Sequence, residues 1–302
     1  MNDLRHKIQS LPKGDVHSHL HLSAGIDLLK IKYPKLDFPV PQYYNGFEGM
    51  MLFIEQNINT FMTSSEKAIS LMDIGIRSSM ADNVTCLEAS IDINLSRFFN
   101  NSVQEFIEAV DRLKANYLGK IDFRPEIGIN KDSPTEIIYG SGMQCIESGV
   151  FSGLDIYGNE KGRDLSGFQE LFLYAKTKKL KTKVHIGEFS GPETIENAIE
   201  LLEPDEIQHG IHAAESDNTM HMIVERGIRM NVCPHSNIAL GAVADLYAHP
   251  IRKLYDSGIN LTINTDDLLL FNATLTDQYT SLIEHDIFTF EEINEIRKNS
   301  LL

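Results

Sequence analysis

The chain has 302 residues, 42% hydrophobic and 23% charged, a composition ordinary for a globular protein and long enough for one α/β barrel of roughly 250 residues plus insertions. A formal net charge of −16 excludes a duplex nucleic acid partner, which needs clustered Lys and Arg, and argues against an anionic membrane surface. No run of 18 apolar residues predicts a membrane span, and the polar start "MNDLRHKIQS" predicts no signal peptide. Cys86, Cys145 and Cys233 are odd in number and far apart, so no disulfide framework is expected and a reducing, cytoplasmic location is predicted.

Eight β-rich runs follow one another. They are "GDVHSHL" (14–20), "NVTCLEASI" (83–91), "KIDFRPEIGI" (120–129), "VFSGLDIYG" (150–158), "KTKVHIGE" (181–188), "DEIQHGIH" (205–212), "GIRMNVCP" (227–234) and "NLTINTDD" (260–267). Helical stretches lie between them. "SVQEFIEAVDRLKANYLG" opens on a Ser cap, ends at a Gly and places apolar residues at i, i+3, i+4 and i+7. "SPTEIIYGSGMQCIESG", "LSGFQELFLYAKTKKL", "PETIENAIELLE" and "HPIRKLYDSG" follow the same logic, three of them with Pro near the start. Strands alternating with helices imply parallel pairing and right-handed crossovers. Eight such units predict a TIM-like (β/α)8 barrel, a single hydrolase domain spanning 1–302. The absence of GxGxxG after the first strand lowers the alternative of an open doubly wound sheet.

Residues 26–82 exceed one crossover helix. Within them "GFEGMMLFIEQNINTF" carries Phe47, Met50, Met51 and Ile54 at helical spacing. Such a stripe packs on the barrel rim or forms a lid whose Phe47, Met50 and Met51 contact substrate; a helical insertion acting as a lid is the expectation carried forward.

Barrel chemistry sits at the C-terminal strand ends. There the first strand carries His17 and His19, two apart and so on one face. The fifth carries His185 and Glu188, the sixth His209 with Gly210 and His212 after it, and the eighth Asp266 and Asp267. Singly these are weak signals. At the same relative position of four strands they converge in a barrel, and imidazole with carboxylate suits zinc that keeps an exchangeable water. Such a metal lowers the water's pKa to about 7.

The segments "LPKGDVHSHL", "KVHIGE", "IQHGIH", "NVCPHSN" and "HPIRKLYDSGINLTINTDD" resemble, in order and across residues 11–267, the motifs of the adenosine deaminase family of zinc-dependent purine aminohydrolases. The resemblance implies one zinc held by His17, His19, His185 and Asp266. It implies Glu188 as proton donor to purine N1, His209 as the group that orients the attacking water and accepts its proton, Asp267 at N7, and the Gly158 N–H at N3. Asp155 resembles a supporting acid of the zinc site, or fixes its loop. The implied reaction is hydrolytic deamination of adenosine or a related 6-aminopurine nucleoside, by zinc-activated hydroxide at C6. The partner is thus a small purine; oligomeric state is not readable.

One position departs from the pattern. The family's adenosine enzymes carry HxHLDG, and His21 stands where that Asp contacts the ribose 5′ hydroxyl. A histidine there admits a 5′-modified nucleoside, a nucleotide or adenine as the alternative substrate, or else merely packs. Glu88 in "CLEAS" reads as an acid of the barrel interior, and Ser236 in "CPHSN" carries no assigned chemistry.

Overall fold

The computed structural model describes residues 2–162 and 164–301. Eight parallel strands pair in chain order: β1 Lys13–Asp15, β2 Val84–Asp92, β3 Asp122–Asn130, β4 Gly153–Tyr157, β5 Lys181–Ile186, β6 Glu206–His209, β7 Arg229–Val232 and β8 Leu261–Ile263. A bridge between Ser18 and Asp266 brings the segment after β8 back beside the segment after β1. This is a nearly closed (β/α)8 barrel, as the alternation of elements predicts.

The helices lie where the periodicity puts them. Val103–Asn116 is capped by Ser102, whose Oγ accepts the Glu105 N–H, and it buries Phe106, Ile107, Ala109, Val110 and Leu113 on one face. Truncating a buried leucine such as Leu113 to alanine in such a seam costs about 2–5 kcal/mol. Pro192–Leu202 starts on its proline and buries Ile195, Ala198, Ile199 and Leu202. The stretch read as one helix after β3 is instead a π-helical segment, Glu136–Ser141, continuing into Gly142–Glu147. Between β1 and β2 stand Ile26–Lys32, Gly46–Phe53, a π-helical turn Ile54–Ile58, Asn59–Phe61 and the long Ser65–Ala81.

Several strands end earlier than the sequence reading places them. β1 stops at Asp15 instead of reaching residue 20, because the backbone at Val16 leaves the ladder: its N–H donates to Asn264 Oδ1 (2.9 Å) and its carbonyl accepts from Lys183 Nζ (2.8 Å). His17 and His19 therefore sit just beyond the strand, held by backbone hydrogen bonds between this segment and Asp266. β5, β6 and β8 also end early. Gly187 (φ +75°), His209 (φ +65°) and Asp266 (φ +60°) enter the left-handed region, which breaks strand geometry.

The opposite end of the barrel is plugged by charge. Lys183 Nζ lies 2.7 Å from Glu88, 2.8 Å from Glu126 and 3.3 Å from Glu206, and Arg229 lies 2.7 Å from Glu206 and 3.1 Å from Glu88. Burial alone would raise the Glu88 carboxyl, but Lys183, Arg229 and Lys181 outweigh it and hold the group below the usual carboxylate range. Glu88 is thus the interior acid its sequence position suggests. The plug anchors the backbone at Val16, directly before the first histidine.

Candidate active site and metal centre

Three imidazole nitrogens meet above the barrel core. His17 Nε2 and His19 Nε2 lie 3.1 and 3.2 Å from His185 Nε2, and each lies 3.6 Å from Asp266 Oδ1. The other ring nitrogens are already engaged. His17 Nδ1 is 2.9 Å from the Asn231 carbonyl, and His185 Nδ1 is 3.0 Å from Asp155 Oδ1. Those acceptors require a proton on Nδ1, which leaves both Nε2 atoms as bare lone pairs. Burial first, and neighbouring histidines second, hold His17 far below and His19 at about 3, so the rings stay uncharged.

Lone pairs facing one another cannot satisfy each other; a cation at their centre can. The Nε2 atoms of His17, His19 and His185 lie close enough to share one ion, with Asp266 Oδ1 beside the first two. The donor set, imidazole plus carboxylate, fits a divalent metal of this kind. Asp266 Oδ2 accepts from Ser236 Oγ at 2.5 Å, which orients the carboxylate and gives Ser236 a role the sequence did not suggest. Asp155, fully buried, orients His185 in the same way.

Beside this cluster a carboxyl and an imidazole face each other. Glu188 Oε1 lies 3.5 Å from His209 Nδ1 and accepts from Asn237 Nδ2 at 2.6 Å. The Asn237 amide is fixed in turn: His249 Nδ1 accepts the Ile251 N–H, so His249 Nε2 carries the proton and donates to Asn237 Oδ1 (3.1 Å). Burial, then the charges of Asp266 and Glu160, push Glu188 well above the usual carboxyl range. An acid whose Oε1 accepts from Asn237 holds its proton on Oε2. Burial, followed by Asp266 and Glu188, likewise raises Asp267, whose buried Oδ1 has no protein partner and whose side chain lines the pocket. His209 and Asp266 hold strained left-handed backbone of about 1–3 kcal/mol each, a cost retained where function over-determines geometry.

The pocket over these groups encloses about 990 Å³ of empty space, its open mouth included. Of the residues predicted from sequence, His19, His21, Phe47, Met50, Met51, Gly158, His185, Glu188, His209, Asp266 and Asp267 line it, while His17 and Asp155 lie beneath as supports. Gly158 has φ +99°, and a Cβ there would stand 2.9 Å from Asn130 Oδ1, so only glycine fits. His21 occupies a short turn, Leu20–Leu22, with a buried Nδ1 that has no partner. Met50 is buried in the insertion, Phe47 packs its ring 6.3 Å from that of Phe189, and Met51 is partly exposed at the rim. His212 points away from the site, paired with Glu215.

Sequence reasoning missed Asn237, His249, Glu160 and Lys131. Asn237 and His249 left a signal, as the last residue of "CPHSN" and the first of "HPIRKLYDSG".

A sequence profile described as Adenosine deaminase matches residues 142–302. A Treponema pallidum protein, provisionally named adenosine/adenine deaminase, is 32% identical over 93% of this chain and 94% of its own length. An amidohydrolase from Burkholderia ambifaria with bound zinc superposes with a TM-score of 0.82, at 19% identity, over 98% of this chain and 86% of its own. An N6-methyl-AMP deaminase from Arabidopsis thaliana superposes with a TM-score of 0.82, at 21% identity, over 98% and 93%. Together with the strand-end cluster, these likenesses place the chain in the adenosine deaminase family of aminohydrolases.

Proposed function

We propose that the chain hydrolyses the 6-amino group of adenosine or a related 6-aminopurine nucleoside, giving the inosine-type product and ammonia. One zinc per chain would be held by His17, His19, His185 and Asp266. The observation that carries this reading is the meeting of three imidazole Nε2 atoms and the Asp266 carboxylate beside the buried Glu188 carboxyl. When bound, the metal supplies hydroxide near neutral pH by acidifying water.

The protein's own groups do the rest. Glu188 gives its proton to N1, so that negative charge does not build on the ring as C6 becomes tetrahedral. His209 orients the attacking water and takes its proton. Asp267, protonated, donates to N7, and the Gly158 N–H meets N3. His209 passes the proton it took to the amino nitrogen, the C6–N bond breaks and ammonia leaves, and the C6 hydroxyl proton returns Glu188 to its acid form. Residues 26–82 form a helical insertion within a single barrel domain, whose Phe47, Met50 and Met51 shield the site from water. The name of the Treponema pallidum relative points to the same substrate class.

A second reading keeps the chemistry and changes the substrate's 5′ end to a phosphate or other substituent. It is favoured by the unpartnered His21 Nδ1 and by Arg97, which lines the same pocket. The cysteines are free and buried, in keeping with a cytoplasmic, reducing setting, and no described helix is long and apolar enough to cross a membrane. Ammonia release from adenosine, 2′-deoxyadenosine, adenine, AMP and 5′-methylthioadenosine tests both readings. Turnover of free nucleosides supports the first; turnover confined to 5′-substituted compounds supports the second. Inertness toward all of them, with zinc bound, would sink the proposal.

A further inference from the structure

We propose that Glu160 is the positioning residue for the proton donor: its carboxylate clamps the loop that carries Glu188 and ties that loop to the backbone at Gly158. This rests on the function proposed above.

Glu160 stands two residues beyond Gly158, on the turn after β4, and is 8% exposed. Its Oε2 accepts from the N–H groups of Gly187 (3.0 Å), Phe189 (3.3 Å) and Ser190 (3.1 Å), and from Ser190 Oγ (2.5 Å). Its Oε1 accepts from the N–H of Glu188 itself at 3.1 Å. Four consecutive backbone donors on one carboxylate form a concave anion nest, here filled by a side chain of the same protein. Charge-assisted bonds of this kind are the strong ones, and together they fix the backbone of the acid residue.

The clamp has a second jaw. Lys131, also buried, donates from Nζ to the backbone carbonyl of His185 at 2.5 Å, and Glu160 is the leading carboxylate acting on its charge. So a cation holds the carbonyl of a metal-site residue, His185, while an anion holds the amides of residues 187–190. The pair sets where His185 and Glu188 stand relative to each other at the end of β5.

The consequence concerns the substrate. Gly158 and Glu160 belong to one short turn, so the donor proposed for N3 and the acid proposed for N1 share one rigid frame. A purine seated against Gly158 therefore finds the Glu188 carboxyl already at the height of N1. Misplacement of a reacting group by about 1 Å can cost about 100-fold in rate.

Glu160→Gln keeps the shape but turns one oxygen into an NH2 group that opposes a backbone N–H. We expect kcat to fall by about 100-fold with KM and metal content nearly unchanged. The deciding test is a double-mutant cycle with Glu188→Gln, combined with hydrogen exchange at the amides of residues 187–190 in the metal-free protein. If Glu160 acts through Glu188, its substitution costs little once Glu188 is already Gln, and the four amides exchange at least tenfold faster. Additive losses, or unchanged exchange, would overturn the proposal. Should Glu160→Gln not fold, Ser190→Ala removes one donor alone and is expected to show smaller effects in the same direction; no effect on exchange would count against the clamp. A folded wild-type protein that turns over no purine would refute the function reading, while exchange rates still decide the clamp.

Discussion

Asp155→Asn tests how the metal centre is oriented. Asp155 Oδ1 lies 3.0 Å from His185 Nδ1 in a fully buried setting, and its other oxygen has no partner. Burial would raise this carboxyl, but His185, by charge and by hydrogen bond, outweighs it and holds Asp155 below its ordinary range. The bond is therefore charge-assisted, worth about 1.5–3 kcal/mol net against about 0.5–1.5 kcal/mol for a neutral one. Asn keeps the shape and an accepting oxygen but loses the charge, so the difference is about 1–1.5 kcal/mol. That predicts metal binding weakened by about tenfold, at the lower edge of the 10–100-fold typical for such supporting acids. Competition with a chromophoric chelator, at fixed pH on the folded metal-free protein, measures it. An unchanged metal Kd would refute the reasoning, because the tautomer and tilt of His185 would then be set by something other than Asp155.

Glu188→Gln should keep the metal and lose about 100-fold or more of turnover, since an amide has no proton to give N1; stoichiometric zinc with near-normal kcat would contradict the role. The pH profile follows from the Glu188 carboxyl, which burial and the charges of Asp266 and Glu160 raise: kcat is expected to fall as pH climbs through that elevated pKa, a limb absent from Glu188→Gln. Lys183→Met should destabilise the fold by about 3–5 kcal/mol in denaturant titrations, because it leaves the buried Glu126 without its cation while Glu88 and Glu206 keep only Arg229 and Lys181. Gly158→Ala should raise KM for purine substrates in steady-state assays, since φ +99° and the 2.9 Å approach to Asn130 force the turn to move.

Much of the site was legible because its residues lie at strand ends, where spacing reports position. His17 and His19 share a face by period two, and His185, His209 and Asp266 recur at the matching place of later strands. The barrel was legible for the same reason, since eight β-rich runs each precede a helical one. The strand limits were not, because His209 and Asp266 adopt left-handed backbone, which is uncommon outside glycine and which a run of β-prone residues does not announce. Glu160, Lys131 and His249 escaped because their roles are hydrogen bonds to elements distant in sequence. Lys131 reaches the His185 carbonyl across two strands, and His249 acts only through Asn237. Ser236 was visible as a residue of a motif but silent as chemistry until its hydroxyl met Asp266.

The most direct test of the central claim is adenosine turnover followed through removal and return of the metal. Chelation is expected to abolish ammonia release, one zinc per chain to restore it, and Asp266→Ala to recover neither tight zinc nor activity. Zinc-free protein that still deaminates adenosine, or Asp266→Ala that binds zinc tightly with full turnover, would contradict it.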